Sequence, residues 1–363
     1  MELTRLLEAM LDLGAGDLHL QAGNRPMVRL GGLLEPLEGS AELSDDEIRE
    51  IVRQMAPGEV QVELDEERSS DFSFEMPGRA RFRVNAFFER GHLSMALRNV
   101  PIEIPPFDEL NLPHAIEEIA QTQRGLVLVT GTTGSGKSTT LAAMMDYVNT
   151  HRENRIITIE DPIEFVHRSK KCLVAQRELG RDTKSFAAAL RVALRQDPDV
   201  ILVGELRDAE TMRTALQAAD TGHAVYSTIH TTNASQTVQR MIALFPPEER
   251  ELLVEQLAAN LEAVISQRLA RTYNGKDRIP VVEILRATPM VRKVLEKGEP
   301  TALPKAMASG EQGMQLFDQH LAKLWKAEII HGTEALRLAT NPEAISMIMH
   351  GLSTRDLETS LVG

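Results

Sequence analysis

The stretch GLVLVTGTTGSGKSTT, which begins at Gly125, restricts the fold of this chain more than any other segment. Its apolar opening predicts a buried strand, and TTLAAMMDYVN, from residue 139, has the periodicity of a helix. Between them, Gly131, Gly136, Lys137 and Ser138 complete a pattern in which glycines let backbone amides surround phosphate oxygens. A strand, a glycine-rich loop and a helix in this order predict an α/β domain that binds a nucleotide.

Each residue type in this loop has its own chemical task. Lys137 is placed to reach the β and γ phosphates, and the Ser138 hydroxyl to hold magnesium, so that ATP and Mg²⁺ are the predicted cofactors. The residues predicted to contact the nucleotide are Gly131, Thr132, Thr133, Gly134, Ser135, Gly136, Lys137, Ser138 and Thr139.

Four apolar segments in the second part of the chain predict strands that are separated by helical stretches. They are GLVLVTG (125–131), IITIE (156–160), DVILVGE (199–205) and AVYSTIH (224–230). This alternation predicts a mostly parallel sheet that is covered by helices. Because the carboxyl ends of parallel strands meet at one edge, residues that follow these strands are expected to share a site with the phosphate loop.

Acidic residues follow two of these strands. Glu205 ends the third one, where the second acidic residue of such nucleotide sites normally lies. Glu160, Asp161 and Glu164 follow the second strand, and one of them can orient the water that attacks the γ-phosphate. Spacing alone does not choose among these three carboxylates.

Two histidines flank the fourth strand in TGHAVYSTIHTT. An extended strand would separate them by roughly 23 Å, at about 3.3 Å for each residue, which is too far for a shared metal ion. His230 falls at the carboxyl end of the strand, where it can donate a hydrogen bond to a γ-phosphate. His223 falls at the opposite end, where a structural role and a functional role are equally consistent with the sequence.

The first hundred residues predict a separate small α/β domain. Helical spacing covers residues 2–13, strands broken by glycine turns are predicted over 17–23 and 26–37, and Ser44 with Glu47 forms the capping box of a second helix. The segment PIEIPPFDELNLP (101–113) contains four prolines and predicts a linker. The predicted division is therefore an N-terminal domain over 1–100, a linker over 101–113 and a second domain over 114–363.

The strand predicted in ARFRVNAFFERG has two different faces. Phe82 and Val84 alternate with Arg81 and Arg83, so that one face is apolar and the other carries two guanidinium groups. Taken by themselves, these arginines indicate a solvated sheet face.

Composition argues against several classes of protein. The net charge of −13 disfavours nonspecific attraction to nucleic acid or anionic lipid, and 4% aromatic residues leave few platforms for base stacking. No apolar run approaches the roughly 18 to 20 residues of a membrane span, and the start lacks the features of a signal peptide, so we expect a cytoplasmic location. Cys172 is the single cysteine, which excludes an intrachain disulfide and a multi-cysteine zinc site.

Together these segments resemble the type IV pilus retraction ATPase family, PilT, of the secretion ATPase superfamily. The resemblance covers nearly the whole chain, in GAGDLHL, ARFRVNAF, GLVLVTGTTGSGKSTTLAAM, IITIEDPIEFVH, DPDVILVGELRD, TGHAVYSTIHTTNA and GMQLFDQHL. In that family ITIEDPIE is the Asp box, DPDVILVGE the Walker B segment and TGHAVYSTIHTT the His box. The resemblance selects Glu164 as general base, Glu205 as the Walker B acid that holds Mg²⁺ with Ser138, and His223 and His230 as catalytic histidines.

The same resemblance implies an architecture and partners. It implies an N-terminal PAS-like domain, a RecA-like P-loop ATPase domain with a helical C-terminal extension, and assembly into a homohexameric ring. Arg83, with Arg98 on the next strand, is then expected to reach nucleotide bound by its own or the adjacent subunit, since arginine suits developing phosphate charge. The implied partner is an inner-membrane pilus platform protein, which would hold the motor peripherally at the membrane while it retracts pili in twitching motility.

Several alternatives stay open from the sequence. The family's C-terminal AIRNLIRE motif corresponds to MVRKVLEK at residues 290–297, where Arg292, Val294 and Leu295 preserve the alternation of basic and apolar character. The chain is therefore either the principal retraction motor or an accessory paralogue. A pilus-assembly or secretion ATPase usually has a longer N-terminal region and a tetracysteine zinc site, a nucleic-acid translocase would need a basic groove, and a nonhydrolysing sensor would not need intact catalytic positions.

Overall fold

The computed structural model describes residues 3–30, 32–100, 104–275 and 277–350. By its internal contacts the chain divides into two compact units, one of Met1–Glu103 with Glu164–Val166, and one of Ile104–Ile163 with His167–Gly363. Each unit has its own apolar core.

The first unit is an antiparallel sheet covered on one face by helices. The strand order is β3-β2-β1-β6-β5-β4, and the described pairings are all antiparallel. The elements are α1 (Leu3–Asp12), β1 (Asp17–Gln21), β2 (Met27–Leu30), β3 (Leu33–Pro36), α2 (Asp45–Met55), α3 (Gly58–Glu67), β4 (Ser69–Met76), β5 (Ala80–Glu89) and β6 (His92–Val100).

The start of α2 has the predicted capping box. The Ser44 amide donates to Glu47 Oε2 at 2.8 Å, and the Glu47 amide donates to Ser44 Oγ at 3.3 Å. These bonds satisfy amides that a helix start leaves without partners, and they fix the rotation of α2 so that Ile48, Ile51 and Val52 lie in the core.

The second unit contains a seven-stranded sheet in the order β13-β12-β7-β11-β10-β8-β9. Every described pairing in it is parallel except β12 with β13, which confirms the predicted mostly parallel sheet. The strands are β7 (Gly125–Thr130), β8 (Arg155–Glu160), β9 (Leu173–Glu178), β10 (Val200–Val203), β11 (Ala224–Ile229), β12 (Leu261–Arg271) and β13 (Arg278–Arg286).

Helices cover both faces of this sheet. In β7, Leu126 and Leu128 belong to one apolar cluster, while Val127 and Val129 belong to another on the opposite face. A strand buried on both faces is therefore apolar at every position, as the sequence pattern predicts. The helices are α4 (Phe107–Leu110), α5 (Ala115–Ala120), α6 (Lys137–His151), α7 (Phe186–Ala193), α8 (Ala209–Asp220), α9 (Ala234–Ala243), α10 (Arg250–Asn260), α11 (Pro289–Glu296), α12 (Leu303–Met307), α13 (Phe317–Lys326), α14 (Gly332–Leu338) and α15 (Pro342–Met349).

Residues 104–113 of the predicted linker are more ordered than its proline content suggests. Residues 101–103 lie outside the described residues, and the rest belongs to the second unit, where α4 begins directly after Pro106. Proline is tolerated at a helix start because the first amides of a helix have no intrahelical acceptor. Phe107 packs into the core of this unit, so this part of the segment is an anchored connection.

The described helices include none that is long and apolar enough to cross a membrane.

Candidate nucleotide site

The predicted phosphate loop lies between the end of β7 at Thr130 and the start of α6 at Lys137. Gly131 and Gly136 have φ of 149° and 89°, values that residues with a side chain rarely adopt. A Cβ on Gly131 would lie 2.5 Å from the Gln267 backbone oxygen, and one on Gly136 would lie 2.7 Å from Gln267 Nε2. Glycine is thus required at both positions by backbone conformation and by the closeness of β12.

Lys137 lies inside the loop. Its Nζ donates to the carbonyl oxygens of Gly131 and Thr132, at 3.0 Å each, and the residue is buried. The Ser138 hydroxyl follows in the first turn of α6, whose N-terminus favours an anion. Ser135 Oγ is also buried, and it has no hydrogen-bond partner among the described residues, as expected for a polar group that awaits a ligand oxygen.

Three of the predicted site residues meet beside this loop. His230 Nδ1 lies 3.5 Å from Lys137 Nζ, and His230 Nε2 lies 3.5 Å from Glu205 Oε2. Glu205 also accepts a hydrogen bond from Arg207 Nε at 2.7 Å, and this contact raises the pKa of Arg207. The carboxyl ends of β10 and β11 therefore bring an acid and a histidine to the lysine, as the strand order predicts.

His223 lies at the other end of β11. Its Nδ1 is 2.9 Å from the Ala218 backbone oxygen and 3.2 Å from Thr221 Oγ1, so the ring is held by the connection between α8 and β11. Within this chain the structure does not bring His223 to the phosphate loop.

The three acids after β8 differ in their surroundings. Glu160 Oε1 accepts hydrogen bonds from Thr158 Oγ1 at 2.6 Å and from Gln176 Nε2 at 3.1 Å, which tie that carboxylate to β8 and β9. Asp161 and Glu164 have exposed side chains. The carboxylate of Glu160 is therefore held within the sheet, whereas those of Asp161 and Glu164 are open to solvent.

The predicted arginine pair lies on the face of the first unit's sheet that points away from its helices. Arg83 on β5 is the direct cross-strand partner of Arg98 on β6, and Asp17 on β1 accepts from Arg98 Nε at 2.7 Å. A cavity of 280 Å³ opens on this face. It is lined by Asp17, His19, Arg29, Asp71, Arg83, Asn85, Ala96, Leu97 and Arg98. The predicted alternation holds for Phe82, Val84 and Arg83, whereas Arg81 is buried and is not part of a solvated face.

Sequence reasoning missed three residues of the site. Arg207 stands two residues after Glu205, and a basic residue so close to a site acid was a usable signal. Thr140 and Gln267 were not detectable in this way, because the hydrogen bond that joins them, 2.8 Å long, links positions 127 residues apart in the chain.

A buried acid supports the segment that carries His230. Glu283 on β13 accepts a hydrogen bond from the amide of Ala234, the first residue of α9, at 2.8 Å. Burial raises the pKa of Glu283 to about 7, against the opposing effects of this hydrogen bond and of Arg268.

The donor groups near the loop fit magnesium. A serine hydroxyl and a carboxylate are the hard oxygen ligands that Mg²⁺ prefers, and this ion commonly completes its octahedron with substrate phosphates and water. In the described part of the chain no three His, Cys, Asp or Glu residues are grouped closely enough to hold a metal by themselves. A magnesium ion bound by Ser138 and Glu205 would thus depend on the oxygens of a nucleotide.

Comparison with known proteins identifies relatives of both units. Residues 106–330 match the family model described as Type II/IV secretion system protein. The type IV pilus retraction ATPase PilT of Pseudomonas aeruginosa is 43% identical over 344 residues, which cover 94% of this chain and 99% of that protein. The type IV pilus ATPase PilU of the same organism is 40% identical over 350 residues, covering 96% and 91%.

Solved structures agree with these relationships. The crystal structure of the pilus retraction motor PilT with bound ADP superimposes with a TM-score of 0.88 at 41% identity, covering 94% of this chain and 98% of that one. The Legionella pneumophila ATPase DotB gives a TM-score of 0.79 at 31% identity, covering 96% and 95%. The predicted mixed α/β fold in two parts is confirmed by these matches.

Proposed function

Since the chain belongs to the type IV pilus retraction ATPase family of type II/IV secretion system proteins, we propose that it hydrolyses ATP to power pilus retraction and twitching motility. The observation that carries the chemical part is the meeting of Lys137, His230 and Glu205 beside a glycine-rich loop. The direction of the work, retraction, is supported by similarity to retraction ATPases over nearly the whole chain.

Nucleotide binding would exchange the contacts of Lys137. Its ammonium group now donates to two loop carbonyls, and phosphate oxygens, which carry full charge, are stronger acceptors in the same position. Ser138 and Glu205 would hold magnesium, whose charge offsets that of the β and γ phosphates. Arg207 would then have to release Glu205, to which it is now bound.

We assign the general base to Glu164. It is exposed, whereas Glu160 is tied to β8 and β9, and the family resemblance selects it over Asp161. A carboxylate in this role orients the attacking water and accepts its proton. His230 would detect the γ-phosphate, because it lies at hydrogen-bonding range from both Lys137 and Glu205. His223 remains a second candidate from the His box, without a contact to the loop in its own chain.

We further propose a homohexameric ring that acts on an inner-membrane platform protein. The exposed guanidinium of Arg98, with its strand partner Arg83, supports a role in binding nucleotide held by its own or a neighbouring subunit. We take residues 1–100 as the N-terminal functional domain, 101–113 as the connection and 114–363 as the ATPase domain. The motor would work in the cytoplasm, at the inner membrane, through its platform partner.

The runner-up is an accessory retraction ATPase. Its support is the partial motif MVRKVLEK, together with the 40% identity to PilU, a second type IV pilus ATPase of the organism that also has PilT, over 96% of the chain. In the structure Val294 and Leu295 of this motif are buried, so these two apolar positions serve packing.

Deletion of the gene from its host tests the proposal. If pili accumulate on the cell surface while twitching stops, the protein is the retraction motor. Unchanged piliation would indicate the accessory paralogue, and loss of pili would reverse the proposed direction. Complementation with the wild-type gene is the control, and complementation with Glu164→Gln should fail. A purified Glu164→Gln hexamer that hydrolyses ATP at the wild-type rate would contradict the assignment of the base.

A further inference from the structure

Gln267 lies next to the phosphate loop although it is far from it in sequence. It belongs to β12, the parallel neighbour of β7, and the preceding residue, Ser266, is the register partner of Thr130 at the end of β7. The hydroxyls of Ser266 and Thr130 are 2.9 Å apart. The chain thus places Gln267 against the point where the loop leaves the sheet.

This one residue contacts the loop at its start, at its end and at the helix beyond. Its backbone oxygen lies against Gly131, 2.5 Å from where a Cβ of that residue would be. Its Nε2 lies against Gly136, 2.7 Å from the corresponding position. Its Oε1 accepts a hydrogen bond from Thr140 Oγ1 at 2.8 Å, in the first turn of α6. The loop is therefore folded over Gln267.

The hydrogen bond between Gln267 and Thr140 is buried, since the two residues are 3% and 2% exposed. An amide at such depth costs free energy unless it is hydrogen-bonded, and a methionine of similar shape would avoid that cost. The contact orients Thr140, whose own amide donates to the Gly136 oxygen at 3.0 Å. Gln267 consequently fixes the last loop glycine through two routes, by direct contact and through α6.

We propose that Gln267 is a positioning residue, which holds the phosphate loop and the first turn of α6 in the shape that binds nucleotide phosphates. The inference rests on the proposed function, because its effect is exerted on ATP. Preorganised loops bind more tightly, since less conformational freedom is lost on binding. Because Gln267 acts on the loop and α6, its effect should fall on affinity more than on the chemical step.

The test is a double-mutant cycle with Gln267→Met and Thr140→Val in the full-length protein. Affinity for ADP and ATP, kcat, KM and the thermal midpoint without nucleotide are measured for both single variants and the double variant. Gln315→Met is a matched control: Gln315 is buried to 4% exposure and donates to the Val282 oxygen at 3.2 Å, on β13.

Gln267→Met is expected to weaken nucleotide binding about five- to tenfold and to raise KM more than it lowers kcat. Its thermal midpoint should fall no further than that of Gln315→Met, which should keep wild-type affinity. The nucleotide affinity of the double variant should equal that of whichever single variant binds nucleotide less tightly, because both changes break the same hydrogen bond.

Three results would overturn the inference: wild-type affinity in Gln267→Met, an equal loss in Gln315→Met, or full additivity in the cycle. If any of these results is found while the wild-type protein binds and hydrolyses ATP, the inference about Gln267 is wrong but the proposed ATPase function is retained. Wild-type protein that binds no nucleotide would overturn both.

Discussion

The parallel strands of the seven-stranded sheet begin at one side of the sheet, the amino edge, and finish at the other, the carboxyl edge. Polar residues at these two edges make different contacts. At the carboxyl edge, Lys137, His230 and Glu205 face one another beside the phosphate loop. At the amino edge, His223 is bound to a backbone carbonyl, and Arg292 donates to the Ala259 oxygen at 3.0 Å and to Glu262 at 2.8 Å. Polar groups of the amino edge are thus bound by the chain alone, whereas we propose that Lys137 and Glu205 at the carboxyl edge exchange their present contacts for a nucleotide and its magnesium ion.

Cavity size does not reveal this difference. The cavity at the amino edge, between the ends of α8, α10 and α11, measures 820 Å³. The cavity beside His230, lined also by Thr132, Thr133, Thr231 and Thr232, measures 390 Å³. The smaller space is the better candidate because a glycine loop, a buried ammonium group and a helix N-terminus converge there.

The largest expected difference between the two edges comes from removing one positively charged side chain at each of them. Lys137→Ala should lower kcat/KM for ATP by at least about a hundredfold, because it removes the cation that faces the phosphates. Arg292→Ala, at the amino edge, should lower the thermal midpoint by a few degrees and change turnover by about twofold at most. Steady-state ATP hydrolysis and thermal unfolding of both purified variants check this. A Lys137→Ala protein with wild-type ATP affinity would contradict the assignment of the loop, and an inactive but folded Arg292→Ala protein would show that the amino edge contributes to the reaction.

A smaller effect is expected from the two histidines of one strand. His230→Gln should lower kcat by about tenfold to a hundredfold, since a glutamine amide cannot face Lys137 and Glu205 at once as the two imidazole nitrogens do. His223→Gln should lower kcat less than His230→Gln, because His223 has no contact with the loop in its own chain, and it should cost about 1 kcal/mol of stability through the lost bond to the Ala218 oxygen. Kinetic and denaturation measurements on the pair distinguish the edges directly. Equal losses of kcat would mean that His223 acts on a site outside its own chain.

Much of the second unit was predictable because its signals are local. The four apolar segments predicted as strands correspond to β7, β8, β10 and β11, which are consecutive neighbours in the sheet, although β10 covers only Val200–Val203 of the predicted 199–205. Since parallel strands end at one edge, the proximity of Glu205 and His230 to Lys137 followed from their positions alone.

The remainder depends on contacts between distant residues. The hydrogen bond between Thr140 and Gln267 joins helix α6 to strand β12, and no spacing pattern within the chain predicts it. The half-exposed edge strand β9 lacks the continuous apolar pattern of the central strands. The burial of Arg81 also depends on what packs against its face of the sheet, which an alternating pattern does not reveal.

The smallest expected effect is a dependence of thermal stability on pH that arises at the carboxyl edge and not at the amino edge. Glu283 is paired with Ser266, which is itself paired with Thr130 beside the loop, and burial raises its pKa from an ordinary 4.5 to about 7. The folded protein binds this proton more strongly than the unfolded chain, so the stability it contributes is complete below pH 4.5 and is lost as pH rises through about 7.

Glu283→Gln keeps an oxygen for the Ala234 amide but cannot titrate. Between pH 5 and pH 8 the thermal midpoint of the wild type should therefore fall by a few degrees relative to this variant. Glu296→Gln, which changes an exposed acid at the amino edge, should follow the wild type. Parallel midpoints for wild type and Glu283→Gln would show that Glu283 has the same proton affinity in the folded and unfolded chains.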